Sequence, residues 1–440
     1  MFSKIYHKVN RLFFYNNELT QHNYRLSRIM IILSGPTAGI INTLTAGSFF
    51  IGFLVYLGAS TQYCAIIGAI PQLGCLLQMF SPYIFERLKH RKLLICICCF
   101  LFRFSVGTVI FVPYLVEEKG ARLIWIMVIY TLSYLIAGFV TPGLSQWYLS
   151  VAPHQNRGRF LAIKDIASMF CVSIVSITIG RMMDHYKFIE KALTGFTIMF
   201  GIALILSVLD FILISQIEEP IVQKETVKQS LWYLIRIPMQ DKKFRKIIIF
   251  LSLWSFAIQF SISFIPVYML SILNMSYSYI SQVAVIGNMM GMVSILLWGR
   301  LADKTSWFHL LKISGFIILL CYLGWVFVTP GNAMVLVFIL QVSLACCNGA
   351  FQMASSNLQF YLAPSLGKTA YLGVTSAIAC VISFVGVMMG SVIYKQLQGA
   401  EIRLYLFKIT NIQTIFLTTG ILLTIAFMYV RRQQHFKNYK

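Results

Sequence analysis

Charge is what this sequence has least of. Of its 440 residues, 11% are Asp, Glu, Lys or Arg, where an ordinary soluble chain has about a quarter. Acids are scarcest, 14 against 36 Lys and Arg. With 58% hydrophobic residues and a mean hydropathy of +0.77, the composition excludes an ordinary water-soluble globular protein. A disulfide framework is missing too. The ten cysteines, at 64, 75, 96, 98, 99, 171, 321, 346, 347 and 380, fall inside apolar runs and read as small buried residues, with no disulfide and no metal site. Cys96, Cys98 and Cys99 come nearest to a ligand cluster, but no His or second Cys pair accompanies them. No histidine is expected within an apolar run: His7, His22, His90, His154, His185, His309 and His435 read as loop or tail residues. The first 28 residues are polar and basic without a short apolar core and cleavage site, so no signal peptide is expected and the amino terminus is placed in the cytoplasm.

What the chain does have is apolar runs of membrane-spanning length, centred near residues 45, 71, 104, 133, 171, 206, 258, 288, 319, 343, 382 and 420. Twelve helices of about 20 residues need roughly 240 apolar positions, close to what the composition supplies. Short polar separators, such as Glu117 to Gly120, Arg181 to Lys191, Asn274 to Ser278, Thr329 to Asn332 and Gln396 to Arg403, alternate with more basic ones. With the amino terminus inside, the inner segments carry about 27 of the Lys and Arg and the outer ones about 8, which fixes the orientation with both termini cytoplasmic. The net charge of +22 is thereby explained by the bilayer, and a nucleic-acid partner, which needs bases gathered on a soluble surface, is not expected. The basic stretch from Glu218 to Lys246 lies midway and reads as a linker; its Leu231, Trp232, Leu234 and Ile235 fit a helix on the inner membrane face or a solvated loop. The expected organisation is a basic segment over 1–28, a six-helix bundle over 29–217, the linker over 218–246, a second six-helix bundle over 247–430 and a tail over 431–440.

The two bundles show in the sequence as a repeat at a separation of roughly 211 to 217 residues. Ala137-Gly138, Ser145 and Val151-Ala152-Pro153 line up with Asn348-Gly349, Ser356 and Leu362-Ala363-Pro364; Val55-Tyr56 matches Val267-Tyr268; Gly74 matches Gly291; and Ile84-Phe85-Glu86-Arg87 matches Leu301-Ala302-Asp303-Lys304. The expected fold is therefore all-α and polytopic, about twelve transmembrane helices as two six-helix bundles in pseudo-two-fold arrangement. From about residue 30 to 430 the chain resembles the major facilitator superfamily of secondary transporters. Gly299-Arg300-Leu301-Ala302-Asp303-Lys304 is similar to that family's G-x-L-A-D-R loop signature; the equivalent loop after span two keeps Glu86, Arg87, Arg91 and Lys92 without the glycines, and Arg157-Gly158-Arg159 resembles the basic loop after span four.

That resemblance implies a small-molecule substrate carried across a bacterial cytoplasmic membrane by alternating access, with a proton or cation as a further expected partner and no cofactor. It assigns Asp303 and Glu86 as acids of a latch that shuts the inner side, with Arg300, Lys304, Arg87 and Arg91 as partners; the same charges can instead serve only to orient the spans. It also directs substrate contact to spans one, four, seven and ten, whose polar residues at helical spacing are Asn42 and Thr45, Tyr130 and Tyr134, Gln259 and Ser263, and Gln341, Asn348 and Gln352. Any of them can instead bond a neighbouring helix, the commoner role for a single serine or asparagine in a membrane span. As a set they are amide-rich, aromatic and uncharged, which favours a neutral or amphipathic solute, with efflux slightly ahead of nutrient uptake.

Arg103 is the least expected residue, about eleven positions into span three, where an arginine costs roughly 2.5–3.5 kcal/mol. Asp210 in span six, at a similar depth, is its expected partner, either as a structural pair or as an anchor for an anionic solute or a proton relay. Asp165, at the start of span five, is expected to cap or to pair near Arg157 or Arg159. No cluster of acids, histidines or nucleophiles shares one depth, so an enzyme is not expected. A receptor or assembly factor on the same scaffold is the remaining reading.

Overall fold

The computed structural model describes residues 20–85, 88, 90–153, 156–220, 231–364, 368–397, 402–404 and 407–432. Eleven helices are long and apolar enough to cross a membrane: Gln21–Tyr56, Lys92–Leu115, Lys119–Val151, Arg157–Phe188, Ala192–Ser215, Lys242–Ile272, Tyr277–Lys304, Trp307–Phe327, Ala333–Leu362, Tyr371–Gln396 and Asn411–Arg432. The expected second span is present but interrupted, as helix Thr61–Leu76, a 3-10 turn Leu77–Met79 and a short helix Ser81–Phe85. Counting it as span two, the other eleven take numbers one and three to twelve in chain order. One two-stranded hairpin, Ile402–Leu404 paired antiparallel with Phe407–Ile409, is the departure from helix among the described residues.

Local chemistry sets the ends. Thr20, Asp241, Ser276 and Ser306 each accept an amide hydrogen bond of the first turn of spans one, seven, eight and nine, satisfying donors that a helix start leaves free. Helices run past the bilayer in places. Span five has 32 residues, roughly 48 Å against a hydrocarbon core of about 30 Å. Arg181 and His185, expected in a separator, therefore lie in its last turns, and His22 and His309 in first turns. Breaks occur where backbone chemistry requires them. Span one is interrupted at Ala46, in extended conformation, followed by Gly47 at φ +58°, a value that favours glycine. Span seven rewinds into a π-helical turn over Tyr268–Ile272, just after Pro266, whose ring displaces the regular bonding.

The chain divides into two compact units, Met1–Gly58 with Leu73–Lys228, and Ala59–Gln72 with Gln229–Lys440. In the first, span one packs on spans five and six, span three on spans four and six, and the lower part of span two on span four. In the second, span seven packs on spans eleven and twelve, span nine on spans ten and twelve, and span eight on span ten. Each pairing in one unit has its counterpart six spans later in the other. The glycines of the sequence repeat sit at one such pair of crossings. A Cβ on Gly74 or Gly138 would run into the other's backbone where spans two and four cross, and one on Gly291 would come 3.1 Å from the carbonyl oxygen of Ala345 where spans eight and ten cross.

The boundaries within each unit follow the helices rather than the charge. Span one already starts at Gln21, and Lys242–Lys246 form the first turn of span seven. The linker segment Leu231–Gln240 is a helix packed on span eleven. Residues 1–19, 221–230 and 433–440 lie outside the described residues.

Candidate functional site

The first unit holds a buried charge site. Arg103 of span three meets the Asp210 carboxylate of span six, with side-chain exposures of 10% and 2%. Thr37 of span one completes it: its hydroxyl lies 2.7 Å from the second carboxylate oxygen, Oδ1, and 2.9 Å from the carbonyl oxygen of Ser34. Ser34 in turn shares a 3.0 Å hydrogen bond with the hydroxyl of Tyr148 in span four. Three features of the sequence put Thr37 there. Pro36 precedes it within the helix, Gly35 and Gly39 let span five approach, and the carbonyl oxygen of Gly35 accepts a 3.0 Å bond from Ser168. Beneath this site, Ile31, Cys96, Cys99, Trp147, Val151 and Ile214 belong to one apolar cluster. Among the described residues Asp210 has no other ion pair.

At the end of this unit that carries residues 27 and 91, two acids outside the expected latch set organise the helix ends. Glu219, just after span six, accepts the amide hydrogens of Arg91 at 3.0 and 3.2 Å and of Lys92 at 3.2 Å, capping span three. Glu218 holds spans one and four, its amide donating to Ser27 Oγ at 2.9 Å and its carbonyl accepting from the Trp147 indole at 3.1 Å. The Arg91 side chain donates to Gln146 at 3.2 Å and makes no ion pair among the described residues. Glu86 and Arg87 lie outside the described residues. Arg300, Asp303 and Lys304 are exposed on the last turn of span eight, and none of them has an ion-pair partner among the described residues. Arg157 and Arg159 are exposed at the start of span five. Asp165 pairs with its neighbour Lys164 at 3.2 Å instead of with either arginine. The reason is local: Asp165 is the eighth helical residue after Arg157, roughly 12 Å further along the axis.

The candidate substrate residues separate into two groups. Tyr130 and Tyr134 are buried, 2% and 8% exposed. Tyr130 stacks on Phe50 at 4.4 Å and Tyr134 meets Phe102 edge-on at 5.3 Å; their place is packing inside the first unit. Thr45 is buried and spends its hydroxyl on the carbonyl of Ile41, and Ser263 is buried against Gly68. Gln259 and Gln341 are half-buried. Asn42, Asn348 and Gln352 are exposed, and their amides make no hydrogen bond among the described residues.

Asn288 of span eight is a fourth exposed amide of this kind. Its lone polarity in a run of Met289, Met290 and Met292 was the available sequence signal. All four amides stand roughly 15 Å or more from either end of their spans, counted along the axis. An unbonded amide at that depth costs several kcal/mol in hydrocarbon, so each requires water or a polar ligand. Elsewhere the spans expose large apolar side chains, such as Leu296, Leu297 and Ile205, as contact with lipid requires. Among the described residues no group of His, Cys, Asp or Glu could hold a metal ion, and none of the ten cysteines forms a disulfide.

Two of three comparisons with known proteins agree with this fold. The family model described as Major Facilitator Superfamily matches residues 26–391. Among solved structures, the nucleoside transporter NupG superposes with a TM-score of 0.65 at 15% identity, covering 95% of this chain and 100% of that one. A bacterial homologue of the human lysosomal transporter Spinster, inward-facing and unoccupied, gives 0.68 at 13%, covering 95% and 99%. The xylose transporter XylE from E. coli, partially occluded and inward open, gives 0.67 at 13%, covering 94% and 98%. A search of curated proteins found no match.

Proposed function

The chain belongs to the major facilitator superfamily, a family of transporters rather than enzymes, and from that premise we propose that it carries a small, uncharged, polar solute across a bacterial cytoplasmic membrane by alternating access. The observation that carries this reading is the unbonded amides at mid-depth of the second unit, Asn288, Asn348 and Gln352. Amides donate and accept hydrogen bonds without fixed charge, which suits a solute rich in hydroxyl or heterocyclic groups. The burial of Tyr130 and Tyr134 removes the aromatic part of the case for efflux of an amphipathic compound. NupG and XylE are transporters of a nucleoside and of xylose, and both solutes are of the neutral polar class favoured here.

A ligand screen by thermal unfolding of the purified protein in detergent tests the class. A ligand at about 100 times its dissociation constant adds roughly 2.7 kcal/mol of stability. Stabilisation by nucleosides or sugars, lost in Asn348→Leu with Gln352→Leu, supports the reading. Stabilisation only by organic anions or amphipathic cations overturns it.

A further inference from the structure

Spans eight and ten run the same way through the second unit in one register. Gly287 faces the backbone of Gln341 and Val342, Gly291 faces that of Ala345, and Gly349 faces the side chain of Ile295. Gln341, Ala345 and Gly349 each lie 54 positions after their partner on span eight. Two side chains of span eight then bond a single carbonyl of span ten. The Trp298 indole donates to the Cys346 oxygen at 3.1 Å, and the Ser294 hydroxyl lies 3.1 Å from the same oxygen. Ser294 has one hydrogen to give and a second acceptor, the Gly291 carbonyl at 2.7 Å, whereas the Trp298 N–H bonds Cys346 alone among the described residues. Close helix packing does not require this pair. At the same distances from Gly74 in the first unit stand Leu77, which carries no donor, and Ser81, whose buried hydroxyl has no partner.

That register sets where the amides stand. Asn288 follows the contact residue Gly287 by one position, while Gln341 and Asn348 precede the contact residues Val342 and Gly349 by one. A step of one residue turns the helix by about 100°. On two helices running the same way, opposite turns from the facing line lead to the same side, so all three amides share one side of the pair. Gln352, one turn beyond Asn348, joins them. Asn288 is level with position 342, so Asn348 lies roughly 9 Å further along the axis and Gln352 about 6 Å beyond that. The amides thus form two groups, Asn288 with the half-buried Gln341, and Asn348 with Gln352.

We propose that Ser294 and Trp298 are positioning residues that hold these two groups at their spacing, and that the spacing selects a solute with two polar ends, a nucleoside, over a single sugar ring. Side-chain amides pair with the donor and acceptor edge of a base such as adenine, and sugar hydroxyls bond an amide by either of its ends. A nucleoside carries both kinds of group and engages both amide groups at once; a lone pentose engages one. A slip of one residue between the spans, roughly 1.5 Å, takes a hydrogen bond out of its working range of about 2.7–3.2 Å. The inference rests on the transport reading above and narrows its solute class.

Calorimetric titration of the full-length protein in detergent with adenosine and with ribose tests it. The wild type should bind adenosine at least tenfold more tightly than ribose. Asn288→Leu should weaken adenosine about fivefold, the size of one net hydrogen bond, and leave ribose within twofold. Trp298→Phe with Ser294→Ala removes both donors to Cys346 and should lower the preference for adenosine by about fivefold, while Ser294→Thr, which keeps the hydroxyl, should bind as the wild type does. A role in folding alone would lower the ligand-free unfolding temperature and weaken both solutes together. An unchanged preference in the double variant therefore overturns the positioning role, and equal affinities of the wild type for the two solutes overturn the selection by spacing. If the double variant does not fold, Trp298→Phe decides alone by the same ratio. Binding of neither solute by the wild type would contradict the transport reading itself, and this proposal with it.

Discussion

Removing one member of the Arg103–Asp210 pair should cost far more than removing both. The side chains are 10% and 2% exposed, so Asp210→Ala strands a guanidinium in a site closed by Thr37, Cys99 and the neighbouring helices. Breaking a buried pair in this way costs about 3–5 kcal/mol, whereas replacing both charges with apolar residues of similar volume is neutral or stabilising by about 1–4 kcal/mol. On the scale of soluble domains of comparable size, about 2–4 °C per kcal/mol, Asp210→Ala should lower the unfolding temperature by roughly 6–20 °C. Arg103→Met with Asp210→Leu should restore it to the wild-type value or above. Differential scanning fluorimetry in detergent reads both, with size-exclusion profiles confirming that each variant folds. The reasoning fails if the single and double variants lose the same stability, because the loss would then belong to packing and not to charge.

Gly138→Ala places a methyl group against the backbone of Gly74 and should cost about 1–3 kcal/mol as overpacking, while Gly299→Ala, with open space around it, should be neutral or slightly stabilising; unfolding temperatures compare the two. Glu219→Ala removes the cap on the amides of Arg91 and Lys92 and should cost about 0.5–2 kcal/mol, with faster amide exchange in the first turn of span three. Asp303→Lys, at an exposed position, should change stability by no more than about 0.5 kcal/mol yet slow transport severalfold if the resemblance-based latch operates; unchanged flux would leave Asp303 as an orienting charge.

The fold was legible because bilayer physics leaves few options. A run of about 20 apolar residues has to be a helix, and a repeat that places glycines at the same point of spans two and eight requires similar crossings in both halves. Span two was harder to read as one element because Pro71, Gly74 and the Phe80-Ser81 junction divide it. The charge pair was legible from depth alone, since an arginine eleven residues into a span demands a partner. Thr37 was not, because a threonine in an apolar helix is usually bonded to its own backbone, as Thr43 and Thr45 are here. Tyr130 and Tyr134 show the opposite error: the resemblance places span four on the cavity, but stacking on Phe50 and edge-on contact with Phe102 are decided by neighbouring spans that helical period cannot reveal. Glu219 was hidden by its place in a linker, where a carboxylate reads as solvated until the start of span three is brought beside it.

Flux through the reconstituted protein tests the central claim most directly. In proteoliposomes loaded with unlabelled nucleoside or pentose, counterflow of the labelled solute should be saturable, competed by solutes of the same class and reduced at least tenfold in Asn348→Leu with Gln352→Leu, a variant that keeps the wild-type unfolding temperature without ligand. Saturable binding of such a solute with no counterflow would contradict the account and make the protein a receptor built on a transporter scaffold.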